Sequence, residues 1–395
     1  MVGRLAGLLV LVVTLTGAAV ASAAAAPFVY VPNEGVSAPT GPGTVSQYQV
    51  GGGGLLAPLT PPTVAAGTNS EDVAISADGK SVYVTNVNSD NVSQYDVGPG
   101  GALTPKTPAA VPTGDGPFGV AVSPDGAHVY VANAGGDSVS QYDVGPGGRL
   151  TPKAPATLLA ADGPFDVAVS PDGTSVYVAS APGHAVSQYD VGPGGALSPK
   201  SVPTVPAGAA FGVTVSPDGR SVYVPDDSGD RVFQYDVGPG GQLVPKTPPT
   251  VAAGVGAFAP AVSPDGKSLY VTNAFSSSLS QFDIGAGGRL SPKTPLTVPA
   301  GIQPIGLALS PDGSTVYAAD QQGDRVLQYD VGTGGRLSPK TPASAPAGTH
   351  PQAVAVTPRP RLPTSKDQCK RGGWRDFGVF RNQGSCISSV ARAHP

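Results

Sequence analysis

The sequence predicts an all-β protein in which seven four-stranded blades close into a ring, a seven-bladed β-propeller whose first and last strands share one blade. The leading observation is a period. Aligned on the Asp of its "DG" turns, the chain repeats at Asp78, Asp125, Asp172, Asp218, Asp265 and Asp312, in steps of 47, 47, 46, 47 and 47 residues. Aligned on the aromatic residue after Gln it repeats seven times, from Tyr48 through Phe282 to Tyr329. That period matches a four-stranded propeller blade. The second observation lies at the ends. The first copy begins at "FVYVPN" (28–33) without the strand that should precede it, and "QAVAVTP" (352–358) supplies such a strand after the last full copy. A C-terminal strand added to three N-terminal ones completes a seventh blade and leaves no open sheet face.

Each element of a copy has a local reason. "FGVAVSP" (118–124) reads as the first strand, and "HVYVAN" (128–133) alternates as a second strand should. "SPDG" between them places Pro, Asp and Gly as a tight turn requires. "SVSQYDV" (138–144) is the third strand, "GPGG" the next turn, and "RLTPKAPATL" (149–158) the fourth. Its prolines suit only an edge strand, where a missing N–H breaks no ladder. Lys106, Lys153, Lys200, Lys246, Lys293 and Lys340 recur on that strand and read as guards against edge-to-edge pairing. The aspartates of "PDG" and "QYD" recur in nearly every copy, which assigns them to architecture.

The chain divides into three parts: residues 1–23, a propeller over 27–358, and a tail over 359–395. Arg4, the apolar run Leu5–Val20 and the small residues Ala21-Ser22-Ala23 read as a secretory signal cleaved between 23 and 26. Nothing later is long and apolar enough to be a transmembrane anchor. The protein is therefore expected outside the cytoplasm, secreted or at the cell surface. Gly 55 and Pro 44 are turn punctuation here, because they follow the period. Only 13% of residues are charged, and glutamate occurs twice, at Glu34 and Glu71. The tail carries eight Lys and Arg against Asp367 and Asp376, a net +6, and the chain's only Trp, Trp374. Its Cys369 and Cys386 read as a disulfide in an exported chain. Such a tail suits an anionic wall polymer, the acidic mouth of the ring, or simple cover for the first blade.

"VYVTN" (82–86), "LYVTN" (269–273) and "YVPDDSGDRVFQYDV" (223–237) resemble the YVTN-type repeats and the lactonase-like seven-bladed propellers, which include 6-phosphogluconolactonases. The likeness covers roughly residues 28 to 358 and implies the ring fold and lactone hydrolysis. It also implies histidines in a His-x-His-Ser-Val pattern where this chain reads "AAFGV", with Ala209 and Phe211 at the two histidine positions. A Pro-Arg-His pattern corresponds to Ala257, Phe258 and Ala259, and a further arginine to Ile305. Apolar side chains supply neither a general base nor a charge for an oxyanion.

A site on a repeat ring should break the repeat. The loops before the first strand and between the second and third share one face, and their departures are mostly ionisable. The first set gives Glu71, Asp72, Asp115, Asp162, Asp166 and His350. The second gives Glu34, His184, Asp226 with Asp227, Asp230 with Arg231, and Asp320 with Asp324 and Arg325. Converging carboxylates and a histidine would suit a divalent cation or a cationic ligand, and are equally explained by Asp capping its own turn. No catalytic residue, cofactor or resident metal is assigned; a divalent cation at the acidic mouth is the one cofactor the pattern admits. "GPGG" lacks the Lys and helix of a phosphate loop, and a net charge of −4 argues against nucleic acid. The leading expectation is a monomeric binding or scaffold module for a ligand, protein or cell-envelope polymer. A lactonase-like hydrolase and a metal-dependent enzyme are the alternatives.

Overall fold

In the computed structural model the described residues are 27–35, 41–358 and the single positions 367, 370 and 387. The signal segment, Cys369 and Cys386 lie outside them. The described residues form 28 strands in seven antiparallel sheets of four. Blade 1 joins Phe28–Asn33, Pro42–Val50 and Leu56–Thr68 to Ala355–Val356, with Val29 opposite Val356 and Tyr30 opposite Ala355. Blades 2 to 7 follow in chain order, beginning at Ser70, Pro117, Pro164, Thr214, Ala257 and Pro304. In each, the strand before the "DG" turn is innermost and the proline-rich strand is outermost, and the innermost strands touch round the ring.

Packing follows from having two buried faces per sheet. Seven apolar clusters each span two neighbouring blades. Between blades 2 and 3, Tyr83 and Val92 meet Val129, Val131, Tyr142 and Leu150. Between blades 7 and 1, Tyr317 and Val326 meet Val29, Val31 and Tyr48. Polar bonds knit the same interfaces. Tyr83 donates to the Gly148 carbonyl of the next blade, 2.7 Å away, and seven such bonds run round to Tyr317 on Gly54. Gln94 accepts from the Leu150 N–H of the next blade, again once per interface. Gly148 has φ +71, and a Cβ there would lie 2.0 Å from Ser81 Oγ, so this turn needs glycine twice over.

The outer-strand lysines are not solvent-facing guards. Lys106, Lys200, Lys246, Lys293 and Lys340 are buried, and Lys153 nearly so. Each ammonium sits on the "QYD" carboxylate of its own blade and donates to a turn carbonyl of the next, as Lys106 does to Asp96 and Gly147. They are clasps between blades, because an ammonium this buried is stable only when paired and hydrogen-bonded. Blade 1 lacks the clasp in both halves. Leu59 and Gln49 occupy the Lys and Asp positions, and the Phe28 ring lies against Gly101 of blade 2.

Candidate functional site

Seven inner strands converging on one axis leave little room, and the residues at their leading ends meet in the middle. Gly119 shows how tight this is: a Cβ there would stand 2.7 Å from the Asp166 Cα of blade 4. A cavity of about 200 Å³ remains at the face where the chain enters each inner strand. Its wall is built from one register position repeated seven times. Round the ring that position holds Gln352, Glu71, Phe118, Phe165, Phe211, Phe258 and Ile305. One sector is polar and the rest is apolar.

The apolar sector is an arc of rings. Phe118 and Phe165 lie 4.5 Å apart between centroids, Phe165 and Phe211 4.7 Å, and Phe211 and Phe258 4.8 Å. Such spacings fit tilted and offset aromatic contacts. All four rings are half-buried, leaving surface toward the cavity.

Two further carboxylates lie one position further along their strands, Asp72 beside Glu71 and Asp166 beside Phe165 within the aromatic arc. Asp72 accepts the N–H of Val73 and, across the blade boundary, that of Val120, both at 2.8 Å. Asp166 accepts from Val167 at 2.7 Å and from Val213 of blade 5 at 2.8 Å. These bonds favour the ionised form, yet burial outweighs them. Burial pushes Asp72 up to about 6 and, with Asp72 adding to it, Asp166 up to about 7. Burial also raises Glu71 to about 8, helped by the nearby charges of Glu34 and Asp72. Glu34 is raised by burial, and His350, whose Nδ1 lies 3.4 Å from its Oε2, opposes the rise. Gln352 is 6% exposed; its Oε1 accepts from Gln321 at 3.2 Å, and its Nε2 has no partner among the described residues.

Of the sequence-derived candidates, Glu71, Asp72 and Asp166 are brought together in this cavity. The others do not line it. Asp226 is fully buried and holds Arg231 Nε at 2.9 Å and the Ala209 N–H at 2.8 Å. Asp320 holds Arg325 at 2.6 Å in the same way. Four other blades put Asn at this strand end, so each Arg neutralises a local Asp rather than facing a ligand. His184 is exposed in a left-handed turn, φ +46, where Asp90, Asp137, Asp230 and Asp324 accept an N–H from the next blade. Asp115 and Asp162 are exposed loop residues, and Asp227 is a half-buried one. The expected convergence of all these groups on one mouth is therefore reduced to three carboxylates. Among the described residues no three His, Cys, Asp or Glu side chains form a group that could hold a metal ion.

The aromatic arc and Gln352 are not among the sequence-derived candidates. The signal was present: Phe at one register in four successive copies, "PFGV", "PFDV", "AFGV" and "AFAP". The positions that the family likeness assigns to histidine and arginine, Phe211, Phe258, Ala259 and Ile305, all line this cavity. Ala209 does not.

Fold and cavity together define a seven-bladed propeller with one axial site. The chain matches the family described as Lactonase, 7-bladed beta-propeller over residues 104–211 and 209–364, and it belongs to that family. Solved structures agree on the fold. A periplasmic gluconolactonase of Pseudomonas aeruginosa is 21% identical with a TM-score of 0.71, covering 85% of this chain and 99% of that one. A Bacteroides fragilis protein with a provisional 6-phosphogluconolactonase assignment is 19% identical, TM-score 0.69, covering 84% and 98%. The hydrazine synthase of Kuenenia stuttgartiensis is 21% identical, TM-score 0.56, covering 73% and 92%. No curated protein matches. Proteins of such different names sharing one architecture leave activity to the site itself. No helix among the described residues is long and apolar enough to cross a membrane.

Proposed function

We propose that this chain is an exported propeller acting as a binding module, with the axial cavity as its ligand site. One observation carries the reading: four phenylalanines form an arc of the wall, Glu71, Asp72 and Asp166 are its ionisable members, and among the described residues no Lys, Arg or His lines it. Opening a phosphorylated lactone would need positive charge for the phosphate and for the developing oxyanion. A cavity that offers carboxyl groups and no cation gives such a substrate nothing to pair with. An apolar wall with a few convergent polar groups is the ordinary make-up of a ligand pocket.

A second reading, hydrolysis of an uncharged lactone, is favoured by three neighbouring carboxylates of different proton affinity, from which acid and base roles could be drawn. One assay separates the two. Opening of 6-phosphogluconolactone and of gluconolactone is followed by pH-stat against the spontaneous rate, and neither should exceed it. Turnover above background that is lost in Asp166→Asn would overturn the binding reading in favour of the hydrolase.

A further inference from the structure

The axial cavity combines three demands that a single kind of ligand meets. Its charge is the first. Glu71, Asp72 and Asp166 share the cavity without a basic lining residue, and Glu71 accepts no hydrogen bond among the described residues. The second is the arc from Phe118 to Phe258, whose ring faces attract cations as well as apolar groups. The third is Gln352, a buried amide whose Nε2 is left without an acceptor among the described residues. A buried donor without a partner is costly, and a ligand oxygen would relieve it.

We infer that the cavity binds a small organic cation: an ammonium held by Glu71 and the two aspartates, an apolar body against the phenylalanines, and one acceptor oxygen on Gln352. This deepens the binding-module reading and rests on it. The size agrees, since a cavity of ~150 Å³ accepts benzene and this one is about 200 Å³. Rival ligand classes each leave something unmet. An anion meets three carboxylates. A bare metal ion finds no ligand set among the described residues and wastes the aromatic arc. A neutral hydrocarbon leaves the carboxylates and the Gln352 amide desolvated without compensation. Affinity should rise with pH as Glu71 ionises near 8, in a field set by Asp72, Asp166, Glu34 and His350.

The test is calorimetric titration of the full-length exported protein with phenylethanolamine, and with styrene glycol, in which a hydroxyl replaces the ammonium. Saturable one-to-one binding of the amine is expected, with the glycol at least about tenfold weaker. Glu71→Gln should weaken the amine about tenfold and Phe165→Leu about fivefold. Melting of each variant checks that it folds, and either one alone suffices for the comparison. Equal affinity for the amine and the glycol, or no saturable binding of the amine, overturns the inference. Lactone turnover would overturn the binding-module reading instead, so the two failures are distinguishable.

Discussion

At the rim of this propeller, blades 2 to 7 place the same Lys on the same Asp and hand it to the same turn carbonyl of the next blade. At the axis, one register position holds an amide, a carboxylate, four phenylalanines and an isoleucine. Both regions are built by the same repeat, so the difference comes from what each must do. The rim joins one blade to the next, and six nearly identical joints need six nearly identical pairs. The axis encloses a single space shared by seven blades, and nothing requires its seven contributors to match. Blade 1 sharpens the contrast. Where its rim departs from the repeat it does so in both partners at once, Leu59 with Gln49, so no buried charge is stranded. At the axis the departures are unpaired, which is how a site differs from a repaired joint.

The sharpest break to the ring is its closure. Deleting residues 353–395 removes Ala355–Val356 and with them the inner strand of blade 1, and should abolish cooperative folding, whereas truncation after Pro358 should leave the melting transition in place. A folded, cooperatively melting 1–352 chain would show that the rim alone can hold seven blades together.

Next in size is a broken clasp. Asp236→Ala leaves Lys246 buried without its carboxylate and should cost about 2–3 kcal/mol in denaturant unfolding. The blade 1 pair installed there, Asp236→Gln with Lys246→Leu, should recover most of the loss. Recovery no better than the single variant would mean that blade 1 relies on Phe28 rather than on its matched pair.

The axis should respond to pH where the rim does not. Glu71, Asp72 and Asp166 have folded-state pKa values raised to about 8, 6 and 7, above the ordinary carboxylate range. Between pH 4 and 8 the folded protein therefore holds more protons than the unfolded chain, and stability falls as pH rises through that window. Thermal unfolding at pH 5 should lie above that at pH 8, and Glu71→Gln should flatten the slope. A slope unchanged in that variant would place the titrating group elsewhere.

The smallest effect belongs to one inter-blade bond. Tyr83→Phe removes the donor to Gly148 and should cost about 1 kcal/mol. A similar loss is expected for Tyr223→Phe at the next-but-two interface, since both joints are built alike.

Sequence alone was enough for the number of blades, the order of strands and the composite first blade. Period, alternation and turn chemistry are local, and a repeat states them seven times over. It was also enough to separate repeated residues from departures. It did not say which departures meet. Asp226, Arg231, Arg325 and His184 break the repeat as plainly as Asp72 and Asp166 do, yet the first three close local ion pairs and the fourth turns a loop. The outer lysines looked exposed because an edge strand usually is, and only the stagger of neighbouring blades buries them. Phe118, Phe165, Phe211 and Phe258 look like ordinary strand residues about 47 positions apart. Closing the ring brings each within 5 Å of the next, in one cavity with Glu71 and Gln352. Contacts between residues so far apart in the chain exist only once the seven inner strands converge on the axis, and that convergence is a property of the closed ring rather than of any blade.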